Sequence, residues 1–110
     1  MIKKEKLPEC PVATTVQLIG SKWKLLILKS LLQGTMRYNE LRKALPEISQ
    51  KVLTSTLKSM VVDGIVIRTS YPEVPPRVEY SLSEIGESMR PMIEVMAKWG
   101  NEYKEKLEKD

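Results

Sequence analysis

Four polar residues in the middle of the chain repeat at a spacing that places them on one side of a helix. They are Lys51, Thr54, Ser55 and Lys58, at positions i, i+3, i+4 and i+7. Lysine can contact phosphate or guanine, and a hydroxyl group can serve either a base or a phosphate. A polar stripe on a single helix is also what an ordinary solvated face looks like. The stripe alone therefore leaves both interpretations open.

Other kinds of chemistry are excluded by residues that the chain lacks. It contains no histidine and one cysteine, Cys10. Without histidine there can be no His-based triad, acid–base pair or His metal site. A single cysteine allows neither an internal disulfide nor a cysteine-cluster zinc site. No clustered carboxylates or glycine-rich phosphate loop occur either, so we expect no enzyme, no metal and no cofactor.

Length and charge point to one domain with a basic middle. The chain has 110 residues, 42% of them hydrophobic and 29% charged, which is typical of one globular domain. Residues 20–82 hold ten basic and five acidic side chains, a balance of +5, within a net charge of +4. Residues 83–110 hold five basic and seven acidic side chains, a balance of −2. With no secretory signal and no apolar run near the roughly 20 residues of a membrane helix, we expect a cytoplasmic protein without a membrane partner.

Local signals predict four helices in the first part of the chain, over residues 11–19, 22–32, 38–44 and 50–62. Proline is tolerated at the first helical position, so Cys10-Pro11 marks a start. Residues 22–32 are apolar on nearly all sides, which predicts a central buried helix ended by Gly34. Ser49 can cap the helix over 50–62. The buried stripe of that helix is predicted to consist of Leu53, Leu57, Met60 and Val61.

The pattern changes to period two after Gly64. This pattern predicts two strands, over residues 65–70 and 77–82. The proline-rich segment 71–76 between them is predicted to be a stiff loop. Together they predict a hairpin with an extended tip. Its arginines, Arg68 and Arg77, can contact a nucleic-acid backbone or minor groove. They can equally serve only to discourage edge pairing of the hairpin.

A last helix is predicted over residues 83–103, capped by Ser83 and kinked at Pro91. Its apolar residues follow a heptad rhythm, which is typical of a seam between helices. They are Ile85, Met89, Met92, Met96, Trp99 and Tyr103. The methionines could also line an adaptable ligand pocket, although ordinary packing explains them as well.

The order of these elements predicts an α+β, mostly helical fold, the winged helix-turn-helix. A short helix, a turn, a longer helix with a polar outer stripe and a hairpin follow one another. The longer helix of such a unit fits the major groove of DNA. We predict one domain over 1–110, with the helix-turn-helix at about 38–62 and the wing at 65–82. Dimerisation helices are predicted at about 11–19 and 83–103.

Several motifs resemble the HxlR family of bacterial transcriptional regulators over about residues 10–103. They are Cys10-Pro11-Val12, Ile19-Gly20-Ser21-Lys22-Trp23, Tyr38-Asn39-Glu40-Leu41, Ile48-Ser49-Gln50-Lys51-Val52-Leu53 and Tyr71-Pro72-Glu73-Val74-Pro75-Pro76-Arg77-Val78-Glu79-Tyr80. The resemblance implies a homodimeric winged-helix protein that binds DNA and is related in architecture to the MarR-type regulators. It also implies that Ser49-Gln50-Lys51 opens the recognition helix. Several family members sense electrophiles or oxidants through a thiol at the position of Cys10.

These arguments predict two sets of site residues. The expected DNA-binding residues are Arg37, Asn39, Ser49, Gln50, Lys51, Thr54, Ser55, Lys58, Arg68 and Arg77. The expected dimer interface comprises Val12, Met89, Met92, Met96, Trp99 and Tyr103. The predicted partners are a double-stranded DNA operator and a second copy of the chain, and the effector is unknown. The alternative function is a winged-helix protein–protein interaction module without DNA affinity, which exposed apolar residues on the outer face of 50–62 would favour.

Cys10 is the candidate sensor residue. A helix start and the nearby Lys6 both favour a reactive thiol. The alternative is an ordinary small residue at a helix cap, and a single cysteine has no resolving partner within its own chain.

Overall fold

The structure, a computed structural model, describes residues 2–109, and its elements alternate between helices and short strands. They are α1 (Pro11–Ile19), α2 (Lys22–Leu31), β1 (Met36–Arg37), α3 (Tyr38–Ala44), α4 (Gln50–Val62), β2 (Val66–Tyr71), β3 (Arg77–Leu82), α5 (Glu84–Glu87) and α6 (Arg90–Lys109). A single 3₁₀ turn, Lys4–Lys6, precedes α1. The bounds predicted for α1, α3 and α4 are confirmed, and α2 ends one residue earlier than predicted. The mostly helical α+β fold class is confirmed as well.

The core lies where α2, α3 and α4 meet the base of the hairpin. Its fully buried large side chains are Ile27, Leu28, Leu41, Leu53, Leu57, Met60 and Ile65. Each such side chain contributes about 1.5–3 kcal/mol through burial. Three of the four residues predicted for the inner stripe of α4 are in this set, and Val61 lies at its margin. The polar face of α4 is thereby turned away from the core.

A hydrogen bond at the start of α4 and a glycine after its end determine how the chain enters and leaves this helix. The Ser49 hydroxyl accepts a hydrogen bond from the backbone N–H of Val52 at 3.1 Å, as predicted for a helix cap. At the other end Gly64 has a φ of 79°, which glycine adopts without the strain that a side chain would bring. This turn directs the chain from α4 into β2.

The hairpin belongs to a sheet of three strands in the order β1-β3-β2. β2 and β3 are antiparallel and pair from Val66 opposite Leu82 to Tyr71 opposite Arg77. β1 adds a short antiparallel pairing of Met36 with Tyr80. The sequence analysis did not predict β1, because two residues cannot show an alternating pattern. It also assigned Tyr71 to the loop, whereas the structure places it in β2.

The predicted single helix over 83–103 is wrong. The structure has two helices, α5 and α6, separated at Ser88 and Met89. Pro91 lacks the N–H that would bond the Glu87 carbonyl, and its ring would collide with that carbonyl inside a continuous helix. The chain therefore ends α5 at Glu87 and starts a new helix in which Pro91 occupies the first turn, where no N–H bond is needed. Ile85, in α5, consequently does not share a helix with the rest of the predicted stripe.

α6 extends well beyond the core and reaches Lys109, past the predicted end at 103. Its first turn is anchored, because Met92 and Ile93, together with Met89 just before the helix, pack against the core. The radius of gyration is 15.7 Å, against about 13 Å expected for a compact chain of this length. A helix of this length spans about 30 Å. Its C-terminal half therefore projects from the rest of the chain.

Candidate nucleic-acid interface

The outer face of α4 is a polar surface that carries two lysines. Lys51, Thr54, Ser55 and Lys58 are all exposed, and together with Gln50 they line one shallow groove. Within residues 2–109, neither lysine has a carboxylate partner. The two lysines stand seven residues apart, about 10 Å along the helix axis. This face can therefore present two positive charges to an extended anion.

The Tyr38 hydroxyl connects α3 to α4 and determines what Thr54 can offer. It lies 3.2 Å from the Gln50 carbonyl oxygen and 3.0 Å from the Thr54 hydroxyl oxygen. Since a carbonyl can only accept, Tyr38 donates to Gln50, and Thr54 donates to the Tyr38 oxygen. Thr54 is then left with an acceptor oxygen and a methyl group. The sequence analysis missed this role of Tyr38, since nothing local links residues so far apart in the chain.

Two serines at the start of α4 are partly committed to the backbone. Ser49 accepts the Val52 N–H, so its own hydroxyl hydrogen remains free to donate. Ser55 donates to the Val52 carbonyl at 3.1 Å, so its oxygen remains free to accept. The two hydroxyls therefore offer opposite hydrogen-bonding abilities to a ligand on this face.

α3 carries a second exposed basic surface beside α4. Its start is held by a hydrogen bond from the Arg37 backbone N–H to a Glu40 carboxylate oxygen at 2.9 Å. Asn39 shares a surface groove with Arg42 and Lys43. Both basic residues are exposed, and the sequence analysis did not single them out. Their spacing of three and four residues from Asn39 is the signal that could have identified them.

The two arginines of the wing, the β2–β3 hairpin, have different surroundings. Arg68 is exposed and, among the residues described, has no ion-pair partner. Arg77 forms ion pairs with Glu73 at 3.2 Å and Glu79 at 3.5 Å. Its guanidinium also lies 3.9 Å from the centre of the Tyr71 ring, a cation–π contact. Arg77 therefore braces the wing, whereas the charge of Arg68 is available to a ligand.

The fold brings the predicted DNA-binding residues, all but Ser49, into three surface grooves, two of which share Thr54 and Lys58. Arg37 and Asn39 share a cleft with Arg77 and the prolines of the wing tip. Thr54 and Lys58 share a pocket with Arg68. The wing therefore borders the start of α3 at its tip and the middle of α4 at its base. This adjacency could not be deduced from the sequence, because it depends on how the sheet packs.

The residues predicted for a dimer interface lie elsewhere, on α1 and α6. Val12, Met96, Trp99 and Tyr103 are exposed by 71%, 46%, 64% and 52%. Trp99 and Tyr103 stack with ring centres 5.4 Å apart. Met89 and Met92 are instead partly buried against the core. Three further exposed apolar residues that the sequence analysis missed are Val16, Val95 and Leu107.

Cys10 precedes α1 as an exposed residue with a free thiol. Its backbone carbonyl accepts a hydrogen bond from the Thr14 N–H at 3.0 Å, which begins the helix. The thiol is thus held at the start of the helix that carries Val12.

Among residues 2–109, no three metal-ligating side chains gather into a cluster, and no helix in that range is long and apolar enough to cross a membrane.

Comparison with known proteins places the chain among helix-turn-helix proteins. A model of the HxlR-like helix-turn-helix family matches residues 18–108. The chain belongs to this family. A relative, the HTH-type transcriptional regulator YdeP of Bacillus subtilis (strain 168), is 46% identical over 100 residues, which cover 91% of this chain and 78% of YdeP. The family resemblance inferred from the motifs is thereby confirmed.

Solved structures of similar proteins share the whole fold. The redox regulator HypR in its reduced form is 40% identical, with a TM-score of 0.85 over 92% of this chain and 100% of HypR. A MarR-family protein from Porphyromonas gingivalis W83 is 44% identical, with a TM-score of 0.82 over 93% of this chain and 97% of that protein. This HxlR-like chain is accordingly a transcriptional regulator with a winged helix-turn-helix fold.

Proposed function

We propose that this HxlR-like regulator acts as a homodimer that binds a specific double-stranded DNA site. In this proposal α4 is the recognition helix and enters the major groove, while the wing contacts the neighbouring backbone or minor groove. The observation that supports it most is the outer face of α4. That face is exposed, polar and basic, and no carboxylate among the described residues neutralises its lysines.

Each side chain of α4 has a role that its chemistry suits. Lys51 and Lys58 suit phosphate or guanine, and the exposed Gln50 suits adenine. Thr54, whose hydroxyl hydrogen is donated to Tyr38, would accept from a base amino group or contact a thymine methyl. Ser55 lines the same groove, Ser49 caps the helix, and both hydroxyls suit phosphate or base edges.

The wing and α3 would hold the protein on the DNA backbone. Arg68 is the wing cation that suits a phosphate, since Arg77 is already paired with two glutamates. Arg37 and Asn39 lie beside the wing tip and would contact the backbone at the start of α3. Contacts of this kind position the protein without reading the sequence.

The projecting part of α6 supports a dimer. Its exposed apolar residues Val95, Met96, Trp99, Tyr103 and Leu107 repeat at helical spacing along one side of α6, and Val12 and Val16 of α1 are exposed as well. Such a surface marks an interaction site, and a second copy brings an identical one that can pack against it. Two-fold pairing would then have to place the two α4 helices about 34 Å apart, one turn of DNA.

The alternative, a winged-helix module that binds only proteins, is supported less well. It would need exposed apolar residues on the outer face of α4. The exposed residues from Gln50 to Lys58 are polar except Val52, which is 36% exposed, and the strongly exposed valine, Val62, stands at the last turn. A basic and polar surface suits DNA better than a protein hot spot, which is typically aromatic.

Cys10 is the proposed point at which oxidants or electrophiles change DNA affinity. HypR, a similar protein, is named as a redox regulator, and Cys10 is exposed at the start of α1. Two Cys10 thiols of a dimer would form one disulfide by passing two electrons and two protons to an oxidant. An electrophile such as a quinone would instead form a bond to the sulfur of a single thiol. Either change lies beside the apolar surface of α1 and would rotate one copy against the other.

The experiment that tests the proposal starts from genomic DNA of the source organism. Purified protein is used to select bound fragments, and the enriched fragment is then titrated with the protein. Light scattering from the protein without DNA gives the mass of the protein. The expected result is enrichment of fragments with a roughly palindromic site and a mass of twice 12.6 kDa. A protein that enriches no fragment and retains that dimer mass would contradict DNA binding and favour the interaction module.

A further inference from the structure

Two hydroxyl groups at the centre of the outer face of α4 can only accept a hydrogen bond from a ligand. Thr54 and Ser55 are exposed and line the same groove. The Ser55 hydroxyl donates its hydrogen to the Val52 carbonyl at 3.1 Å. The Thr54 hydroxyl donates to the Tyr38 oxygen at 3.0 Å, because Tyr38 donates its single hydroxyl hydrogen to the Gln50 carbonyl at 3.2 Å. Each of the two hydroxyls therefore offers a ligand oxygen lone pairs and no hydrogen.

The two hydroxyls owe this property to different partners. Ser55 bonds to a carbonyl of its own helix, three residues earlier in the chain, as serine commonly does inside helices. Thr54 bonds instead to a side chain of another helix, since Tyr38 is the first residue of α3. Tyr38 also bonds to the Gln50 carbonyl, which is the acceptor that a threonine four residues later in a helix often uses itself. Tyr38 therefore determines where the hydroxyl hydrogen of Thr54 goes.

An oxygen that can only accept distinguishes between bases in the major groove. Adenine and cytosine present an amino group there, which donates, whereas guanine and thymine present a carbonyl oxygen, which accepts. A transition, from A to G or from C to T, exchanges the amino group for a carbonyl oxygen at the same place. The hydroxyl can bond to the amino group, but it faces the carbonyl oxygen with no hydrogen between the two acceptors, which costs free energy.

We propose that Tyr38 is a positioning residue that sets base specificity, so that α4 reads amino groups of adenine or cytosine at the centre of each half of the palindromic site. This inference rests on the proposed function, because it requires α4 to enter the major groove. Thr54 and Ser55 accept from the amino groups. Lys51 and Lys58, which can only donate, stand at the two ends of this stretch and contact guanine or phosphate. The lysines are about 10 Å apart along the axis, which corresponds to roughly three base pairs.

The test measures base preference in addition to affinity. The full-length protein selects its site from a library of duplexes, and each base pair of one half-site is then replaced by its transition. Fluorescence anisotropy gives the affinity for every duplex. The wild type should lose about ten-fold in affinity at two positions where an amino group becomes a carbonyl oxygen. Thr54→Val should remove the loss at one of these positions and Ser55→Ala at the other, which assigns each position to one hydroxyl.

Tyr38→Phe is the decisive variant, because it keeps the ring and removes only the hydroxyl. The Thr54 hydrogen is then free to be donated to a base carbonyl or to the Gln50 carbonyl. The loss at the Thr54 position should therefore fall from about ten-fold toward no loss. The loss at the Ser55 position should persist, because Ser55 bonds within its own helix. Tyr80→Phe is the matched control, since it removes a hydroxyl of β3 that takes no part in these hydrogen bonds, and it should retain both losses.

Four outcomes would overturn the inference while the proposed function stands. The wild type could tolerate every amino-to-carbonyl transition, or Tyr38→Phe could keep the wild-type preference at both positions. Equal relaxation at both positions in Tyr38→Phe would show that the variant only loosens α4. Thr54→Ser keeps the hydroxyl and removes the methyl group, so a loss of preference in this variant would show that the methyl group reads the base.

Failure of the proposed function itself gives a different result. A protein that selects no DNA site from the library would contradict DNA binding, and the inference about Tyr38 would fall with it. Each of the four outcomes above requires a selected site, so the two kinds of failure are distinguishable.

Discussion

Replacement of Lys58 by alanine should change how DNA binding depends on salt. Lys58 is exposed on α4 and has no carboxylate partner in residues 2–109, so its full charge is available to a phosphate. A dimer would lose two such contacts, and each contributes about 0.9 to the slope of log affinity against log salt. The slope should therefore flatten by about 1.8. Between about 50 and 200 mM salt, the advantage of the wild type over the variant should shrink about 12-fold.

The same reasoning predicts a different result for Arg77→Ala. The Arg77 guanidinium is already balanced by Glu73 and Glu79 and rests on the Tyr71 ring. Its removal should loosen the wing and so lower the DNA affinity. The slope of log affinity against log salt should change less than it does in Lys58→Ala. The comparison separates a charge that contacts DNA from one that maintains the shape of the wing.

Fluorescence anisotropy with a labelled operator duplex, at several salt concentrations, measures both quantities. Lys29→Ala is the matched control, because Lys29 is an exposed lysine on α2, outside the proposed surface. Its slope should equal that of the wild type. A wild-type slope for Lys58→Ala, or an equal flattening for Lys29→Ala, would refute the assignment of α4 to the DNA.

Three further predictions concern the dimer, the thiol and the contact between α3 and α4. Trp99→Ala removes an exposed aromatic side chain from α6, so light scattering should show the mass falling toward 12.6 kDa on dilution; a mass that stays at the dimer value would contradict this interface. Diamide or quinone should change the operator affinity of the wild type but not of Cys10→Ser, and equal affinities in all samples would leave Cys10 a structural residue. Tyr38→Phe removes the hydroxyl that bonds to Gln50 and Thr54, at a cost of about 1 kcal/mol, or about 4–8 °C in melting temperature. An unchanged melting curve would show that this bond contributes nothing.

Elements with strong local signals were predicted correctly from the sequence. α1 begins at Pro11 and α4 begins after Ser49, as the preference of proline and serine for helix starts requires. The inner stripe of α4 follows the helical repeat, so its buried residues could be named in advance. Membership of the HxlR-like family was also recognisable, because its motifs are continuous segments of chain.

Signals that are short or that oppose each other were misread. β1 is two residues long and exists only because β3 lies beside it. Pro91 was correctly seen as a disruption, yet the periodicity on both sides suggested one kinked helix. The hydrogen bond that Pro91 cannot donate to the Glu87 carbonyl favours two helices. A proline in the first turn of a new helix loses no hydrogen bond.

The first four helices, the hairpin and the polar face of α4 follow from the sequence, because capping and periodicity act between residues a few positions apart. The contacts between those elements depend on the tertiary structure. Within residues 2–109 it pairs Arg77 with two glutamates and gives Arg68 no ion pair, and it commits the hydroxyl hydrogen of Thr54 to Tyr38. It also brings Arg68 of the wing beside Thr54 and Lys58 of α4. These outcomes depend on distances between segments that are remote in the chain, and such distances are set by how the core packs.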